Sequence, residues 1–206
     1  MSGRVAPIDW HPDTDPAYRA ARRALRTAFL RWAKANAAGA SPDCFDDLIH
    51  LKWRDLDGHL TRWRAGDLDA VLLELFPAKV IVEDADLDDI VPDTATFVRF
   101  LAETGLLDPA SDQPAELYAR IERIGRRFRR RMADRRRYKP GKRFWLTASA
   151  AGVALDNDKA IEAFIEEFNA LPQPQREAVL GRRAQLLTSH GLVTSLPSPA
   201  PHPDRH

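Results

Sequence analysis

PAELYARIERIGRRFRRRMA, residues 114–133, is the stretch from which the fold is read. Leu117, Ile121, Ile124, Phe128 and Met132 advance by four, three, four and four positions. An α-helix turns once every 3.6 residues, so this spacing gathers the five side chains into one buried stripe. Pro114 suits the first turn of such a helix. Arg135 would fall back on the stripe, so the helix is expected to end near Ala133. Arg126, Arg127, Arg129, Arg130 and Arg131 sweep a broad arc facing away from Ile124 and Phe128. The pairs 126/130, 127/131 and 123/127 place like charges one turn apart, each costing about 0.2–0.5 kcal/mol unless something compensates.

The same period runs outward in both directions. Asp15-Pro16 and Gly39 bracket an expected helix over 16–38, with Tyr18, Ala21, Leu25, Phe29 and Trp32 at helical spacing. Ser41-Pro42 opens a second through Phe45, Leu48, Ile49 and Trp53, and the chain is expected to turn at Asp55-Leu56-Asp57-Gly58. Leu68, Val71, Leu72 and Leu75 mark a third over 65–75, which Pro77 is expected to close. Lys79-Val80-Ile81-Val82 is a β-branched run too short to build a sheet. Pro92 is read as the first helical residue before Phe97, Val98 and Leu101, and Gly105 as the stop. Tyr138-Lys139-Pro140-Gly141 reads as a basic turn before a helix over 141–151 that stops at Gly152. Asp156 is the expected cap of a helix carrying Ile161, Phe164, Ile165 and Phe168, and a last helix covers 173–188 before His190-Gly191. The expectation is an all-α fold: one irregular bundle of seven to eight helices over 14–190. An N-terminal arm (1–13) precedes it, and a disordered Pro-rich tail (191–206) follows.

Composition bounds the function classes. The chain has 206 residues, 44% hydrophobic and 30% charged, enough for one domain with a proper core. No window approaches the roughly 18 apolar residues of a membrane span, and the first residues lack the apolar core of a signal peptide. A single cysteine, Cys44, forbids an internal disulfide and fits a reducing cytoplasm. Twenty-five of the 31 basic residues are arginine, an excess to which a GC-rich genome contributes. Codon bias does not explain their clustering.

Residues 120–143 hold thirteen Lys or Arg against two acids, Glu122 and Asp134, a charge of +11 in a chain whose formal total is +1. The 16–38 helix adds Arg19, Arg22, Arg23, Arg26, Arg31 and Lys34 with no acid, leaving −16 for the remainder. Guanidinium groups grip phosphate oxygens bidentately and follow a nucleic-acid backbone without reading sequence. The candidate nucleic-acid contacts are Arg123, Arg126, Arg127, Arg129, Arg130, Arg131, Arg135, Arg136, Arg137, Lys139, Lys142 and Arg143. Tyr138, Phe144 and Trp145 lie among the last of them and offer rings on which a base would stack. The competing reading is neutralisation by Glu83-Asp84-Ala85-Asp86-Leu87-Asp88-Asp89, by Glu162, Glu166 and Glu167, or by an acidic protein partner in a scaffold role.

No motif names a reaction, and the chain is expected to act by binding, without cofactor or metal. Asp84, Asp86 and Asp88 match the first ligands of a calcium loop, but Asp89 stands where that loop needs Gly and Ala95 where it needs Glu. Cys44, His50 and His59 lack the paired spacing of a zinc site. Ser149 has no nucleophile-elbow context, and Pro140-Gly141-Lys142-Arg143 is only a fragment of a phosphate loop. A helix-turn-helix after Phe97 fails because Leu106-Leu107-Asp108-Pro109 is no recognition face. Trp53 and Trp63, flanking the 55–58 turn, are read as core rather than as pocket walls.

The segments LKWRDLDGHLTRW (51–63), DLDAVLLELFPAKV (67–80), FVRFLAETGLL (97–107) and FIEEFNALP (164–172) together resemble a family of hypothetical actinobacterial proteins, over roughly 49–180. The resemblance implies a shared helical scaffold and carries no activity, cofactor or site residue. The stretch 126–137 departs from that family's pattern in being more basic.

Overall fold

The computed structural model describes residues 8–37 and 41–180. Among them the fold is all-α, with no strand. The helices are α1 (Asp15–Asn36), α2 (Pro42–Asp55), α3 (Ala65–Asp69), α4 (Phe76–Lys79), α5 (Ile90–Glu103), α6 (Pro114–Met132), α7 (Pro140–Ala150), α8 (Asp158–Ala170) and α9 (Gln173–Leu180). A π-helical stretch covers Ala70–Leu75 and a 3₁₀ turn covers Arg135–Arg137. The described residues fall into two compact units. One holds the residues up to Leu73 together with Asp84–Arg129; the other holds Glu74–Glu83 and the residues from Arg130 onward.

In the first unit α1, α2 and α5 pack on one another. Thr14 caps α1 by accepting from Ala17 N at 3.4 Å, so Asp15 becomes its first residue rather than its cap. Ser41 caps α2 by accepting from Asp43 N at 3.2 Å. Phe29 stacks on Phe45 with centroids 5.0 Å apart, and Phe97 stands edge-on to Phe45 at 5.4 Å and to Trp63 at 5.6 Å. All four rings are buried, each contributing about 1.5–3 kcal/mol of transfer free energy or more. The stripe of α6 is buried along its whole length, from Leu117 to Met132. Gly58 ends the 55–58 turn at φ 75°, and a Cβ there would stand 3.3 Å from the His11 ring, so both the conformation and the space call for glycine. The described part of the arm lies against this turn: Leu60 N donates to Trp10 O at 2.8 Å, and Trp53 Nε1 donates to Pro12 O at 3.0 Å.

In the second unit Phe144, Trp145, Ala148, Ile165, Phe168 and Leu180 form the core, with Phe144 edge-on to Phe168 at 5.1 Å. Gly152, at φ 77°, follows the end of α7. Asn157, not Asp156, caps α8, its side chain accepting from Lys159 N and Ala160 N.

Two boundaries differ from the sequence reading. Pro77 does not close the third helix: it falls at the start of α4, directly after the π-helical stretch. The π-helical stretch just before it spaces the backbone more widely and relieves the clash that proline makes with the preceding turn. Helix α5 starts at Ile90, which puts Pro92 inside its first turn, at a position needing no donor. Gly39, the expected end of the last helix at 188, His190-Gly191, the 191–206 tail and residues 1–7 of the arm lie outside the described residues.

Candidate nucleic-acid interface

The site begins at a residue the basic-cluster reading passed over. Lys52 falls on the apolar stripe of α2, seven residues after Phe45, and is fully buried. Its ammonium donates to Asp67 at 2.7 Å, pairs with Asp57 at 2.9 Å and stands 5.3 Å from the centre of the Trp63 ring. Burial alone would push the Asp57 carboxyl up, but hydrogen bonds from Arg62 and Lys52 outweigh it and hold it well below the usual range. Asp67 also accepts from Arg64 N at 3.0 Å, closing the first turn of α3. Two further bonds hold that turn: Ala65 N donates to the Asp112 carboxylate at 2.7 Å, and Asp112 N donates to Trp63 O at 3.0 Å. Asp112 stands two residues before α6, so one set of contacts fixes the starts of both α3 and α6.

Fixed in this way, Asp69 at the end of α3 meets Arg120 in the second turn of α6. The guanidinium forks onto both carboxylate oxygens, with Nε at 2.8 Å and Nη2 on the other oxygen. That hydrogen bond holds the arginine's pKa above its ordinary value. One and two turns along the same helix, Arg123, Arg126 and Arg127 join Arg120, Asp69 and Ile124 in lining a groove of about 420 Å³. Arg123, Arg126 and Arg127 are exposed, and no carboxylate pairs with any of them among the described residues. On the far side of the helix Arg129 takes Asp88 at 2.7 Å, an exposed pair that keeps the Asp88 carboxyl below its usual range. Within this unit α6 is thus clasped on two sides by acids, and the arginines between them face solvent.

The basic residues of the second unit divide differently. Arg130, Arg135, Arg136 and Lys139 are exposed and Arg131 is half-buried. Arg137 pairs with Glu74, and at 3.5 Å with Asp134. Arg143 turns inward to donate to Tyr138 O at 2.9 Å and Arg135 O at 3.0 Å, fastening the 135–138 turn. Lys142 is buried, donates to Pro77 O at 3.1 Å and sits 4.3 Å from the centre of the Tyr138 ring. Burial lowers its pKa to about 8. Arg143 and Lys142 are therefore spent on the fold. The rings read as base-stacking surfaces are spent too: Phe144 and Trp145 are core, and Tyr138 carries Lys142 while its hydroxyl donates to Met132 O.

The acids expected to answer the arginines do so in part. Asp88, from the 83–89 run, pairs with Arg129, while Glu162, Glu166 and Glu167 are exposed and meet none of the arginines among the described residues. The other partners, Asp69 and Glu74, come from the third helical segment, where an acid among acids gives no sequence signal. In the basic α1, Arg22 and Arg26 both grip Asp46 of α2, at 2.9 and 3.0 Å. Lys52 and Lys142 had a signal in sequence: each is a charge placed on an apolar stripe.

The remaining candidates separate in space. Cys44 is buried beside Ile90 O and the Thr94 hydroxyl, and burial pushes its thiol pKa well up. His59 stacks on His11 at 3.6 Å, while the His50 ring stands tilted to Tyr18 at 6.3 Å. Among the described residues no three His, Cys, Asp or Glu side chains come together to hold a metal. Trp53 stacks on Tyr18 at 3.9 Å and Trp63 donates to Leu60 O at 3.0 Å, each packed in its own place. No helix among the described residues is long and apolar enough to cross a membrane. Compared with family models, curated proteins and solved structures, the chain matches none of them.

Proposed function

We propose that this chain acts by binding, and that it contacts the phosphate backbone of nucleic acid through the arginines of α6. The observation that carries the reading is the groove beside Asp69, where Arg123, Arg126 and Arg127 present guanidinium groups that no carboxylate of the described residues occupies. From Arg120 to Arg127 the helix rises about 10 Å, against about 3.4 Å of axis per phosphate on one strand. A row of that length meets several successive phosphates. Guanidinium geometry suits phosphate oxygens, and a rigid helix presents the forks already spaced. Backbone contact needs no base readout, in keeping with the absence of a free aromatic platform beside Lys142. A single buried thiol is at ease in a reducing cytoplasm, where nucleic acid is at hand.

The test is direct binding of the full chain to a fluorescein-labelled single strand and duplex at low salt, beside a variant carrying Arg123→Glu, Arg126→Glu and Arg127→Glu. These positions are exposed, so the helix content of the variant should match wild type by circular dichroism. Loss of binding in the variant supports the reading. Equal binding by the two proteins sinks it, and binding of poly-glutamate in preference to nucleic acid turns it toward an acidic protein partner.

A further inference from the structure

We infer that Asp69 is a built-in stand-in for phosphate, occupying the Arg120 guanidinium at the groove until a polyanion displaces it. This rests on the phosphate-binding reading of the same groove and adds how that groove is regulated. The geometry is the argument. Arg120 offers its Nε and Nη2 edge to the two oxygens of Asp69, the same edge and the same paired oxygens that a phosphodiester would use. The pair is neither buried nor free: each side chain keeps 30% of its exposure, so the carboxylate is reachable by an incoming anion and by water. It lines the groove with Arg123, Arg126 and Arg127, so a phosphate held by those three arrives beside the fourth. Asp69 is also where a competitor has to be in order to be constant, at the end of a helix whose first turn is locked by Lys52 and Asp112.

Two consequences follow. A ligand must offer more than one carboxylate's worth of charge to recruit Arg120, which favours a polymer delivering neighbouring phosphates over a lone anion. Removing the carboxylate should free one more arginine for the ligand. The Arg129–Asp88 pair supplies the matched control. It carries the same charges, but its side chains are 58% and 74% exposed, so Arg129 is already available to solvent and little is gained by freeing it.

The experiment measures affinity for the labelled single strand over a salt series, using full-length wild type, Asp69→Asn, Asp88→Asn and the double variant Asp69→Asn with Arg120→Gln. The slope of log K against log salt counts phosphates neutralised, at about −0.7 for each on a single strand. Asp69→Asn should bind several-fold more tightly, with a slope steeper by about one such contact. Asp88→Asn, with the same change in net charge, should keep the wild-type slope, and the double variant should return to it. An unchanged slope in Asp69→Asn overturns the inference while leaving the phosphate reading intact. So does a gain equal to that of Asp88→Asn, or a gain that survives in the double variant. No binding by any of the four overturns both readings. Should Asn disturb α3, Asp69→Ser makes the same comparison.

Discussion

Lys52 does not line the groove, yet it braces the turn from which Asp69 is presented. Its ammonium is fully buried and answers two carboxylates, Asp57 and Asp67, that hold the turn after α2 to the first turn of α3. Replacing it with methionine keeps the volume but leaves Asp57 to Arg62 and Asp67 to Arg64 N, and the lost charged hydrogen bonds cost about 1–3 kcal/mol. Urea denaturation of Lys52→Met should show that loss. Asp47 supplies a pH dependence. Burial, then the charges of Asp46 and Asp43 on the same helix face, push its carboxyl up to about 7, against the opposing pull of Arg22. Burial likewise pushes Asp93 up to about 6. A raised carboxyl means that the folded state binds the proton more tightly than the unfolded chain. The stabilisation is complete below about pH 4 and is lost as pH climbs through about 7. The urea midpoint should therefore fall across that window, and Asp47→Asn should flatten the fall and exceed wild type at neutral pH. A flat wild-type profile would contradict this. At this scale the sequence shows that Lys52 and Lys142 are charges on apolar stripes. It does not show what they bond, because Asp67 and Pro77 O arrive by tertiary packing.

Among the elements, α6 was the most legible. Its stripe is buried from Leu117 to Met132 as the four-three-four-four spacing requires, and the helix ends within one residue of the expected place. What the period leaves open is the solvent side. Gly125 stands there among arginines, and a Cβ in its place would meet Val91 Cγ1 at 3.5 Å, an ordinary contact. Gly125→Ala should therefore stabilise the protein by about 0.8–1.0 kcal/mol, the helix-propensity difference, read as a raised melting temperature. A fall would mean that Val91 cannot yield. The segment after α3 was the least legible. A proline inside an apolar helical run reads as a stop, but the π-helical stretch over Ala70–Leu75 lets helix resume at Phe76. Widening of that kind is decided by packing on both sides of the segment and leaves no trace in the spacing of Leu68, Val71 and Leu72.

For the molecule as a whole, the +11 of residues 120–143 against a total of +1 announced a charge in need of an answer, and the structure divides that answer. Arg120, Arg129 and Arg137 meet carboxylates. Arg143 and Lys142 meet backbone carbonyls, while Arg123, Arg126, Arg127, Arg130, Arg135 and Arg136 remain exposed. Sequence could place the arginines on a helix. It could not say which acid would reach which guanidinium, since Asp69 and Arg120 stand 51 residues apart and meet only once α3 and α6 are fixed. The central claim is that Arg123, Arg126 and Arg127, beside Arg120 in the groove, neutralise nucleic-acid phosphates. The salt dependence of wild-type affinity for a labelled single strand tests it most directly. Three or four arginines engaging phosphates predict a log–log slope of about −2 to −3, with binding fading as salt rises. A slope near zero, or no binding at low salt, would contradict it.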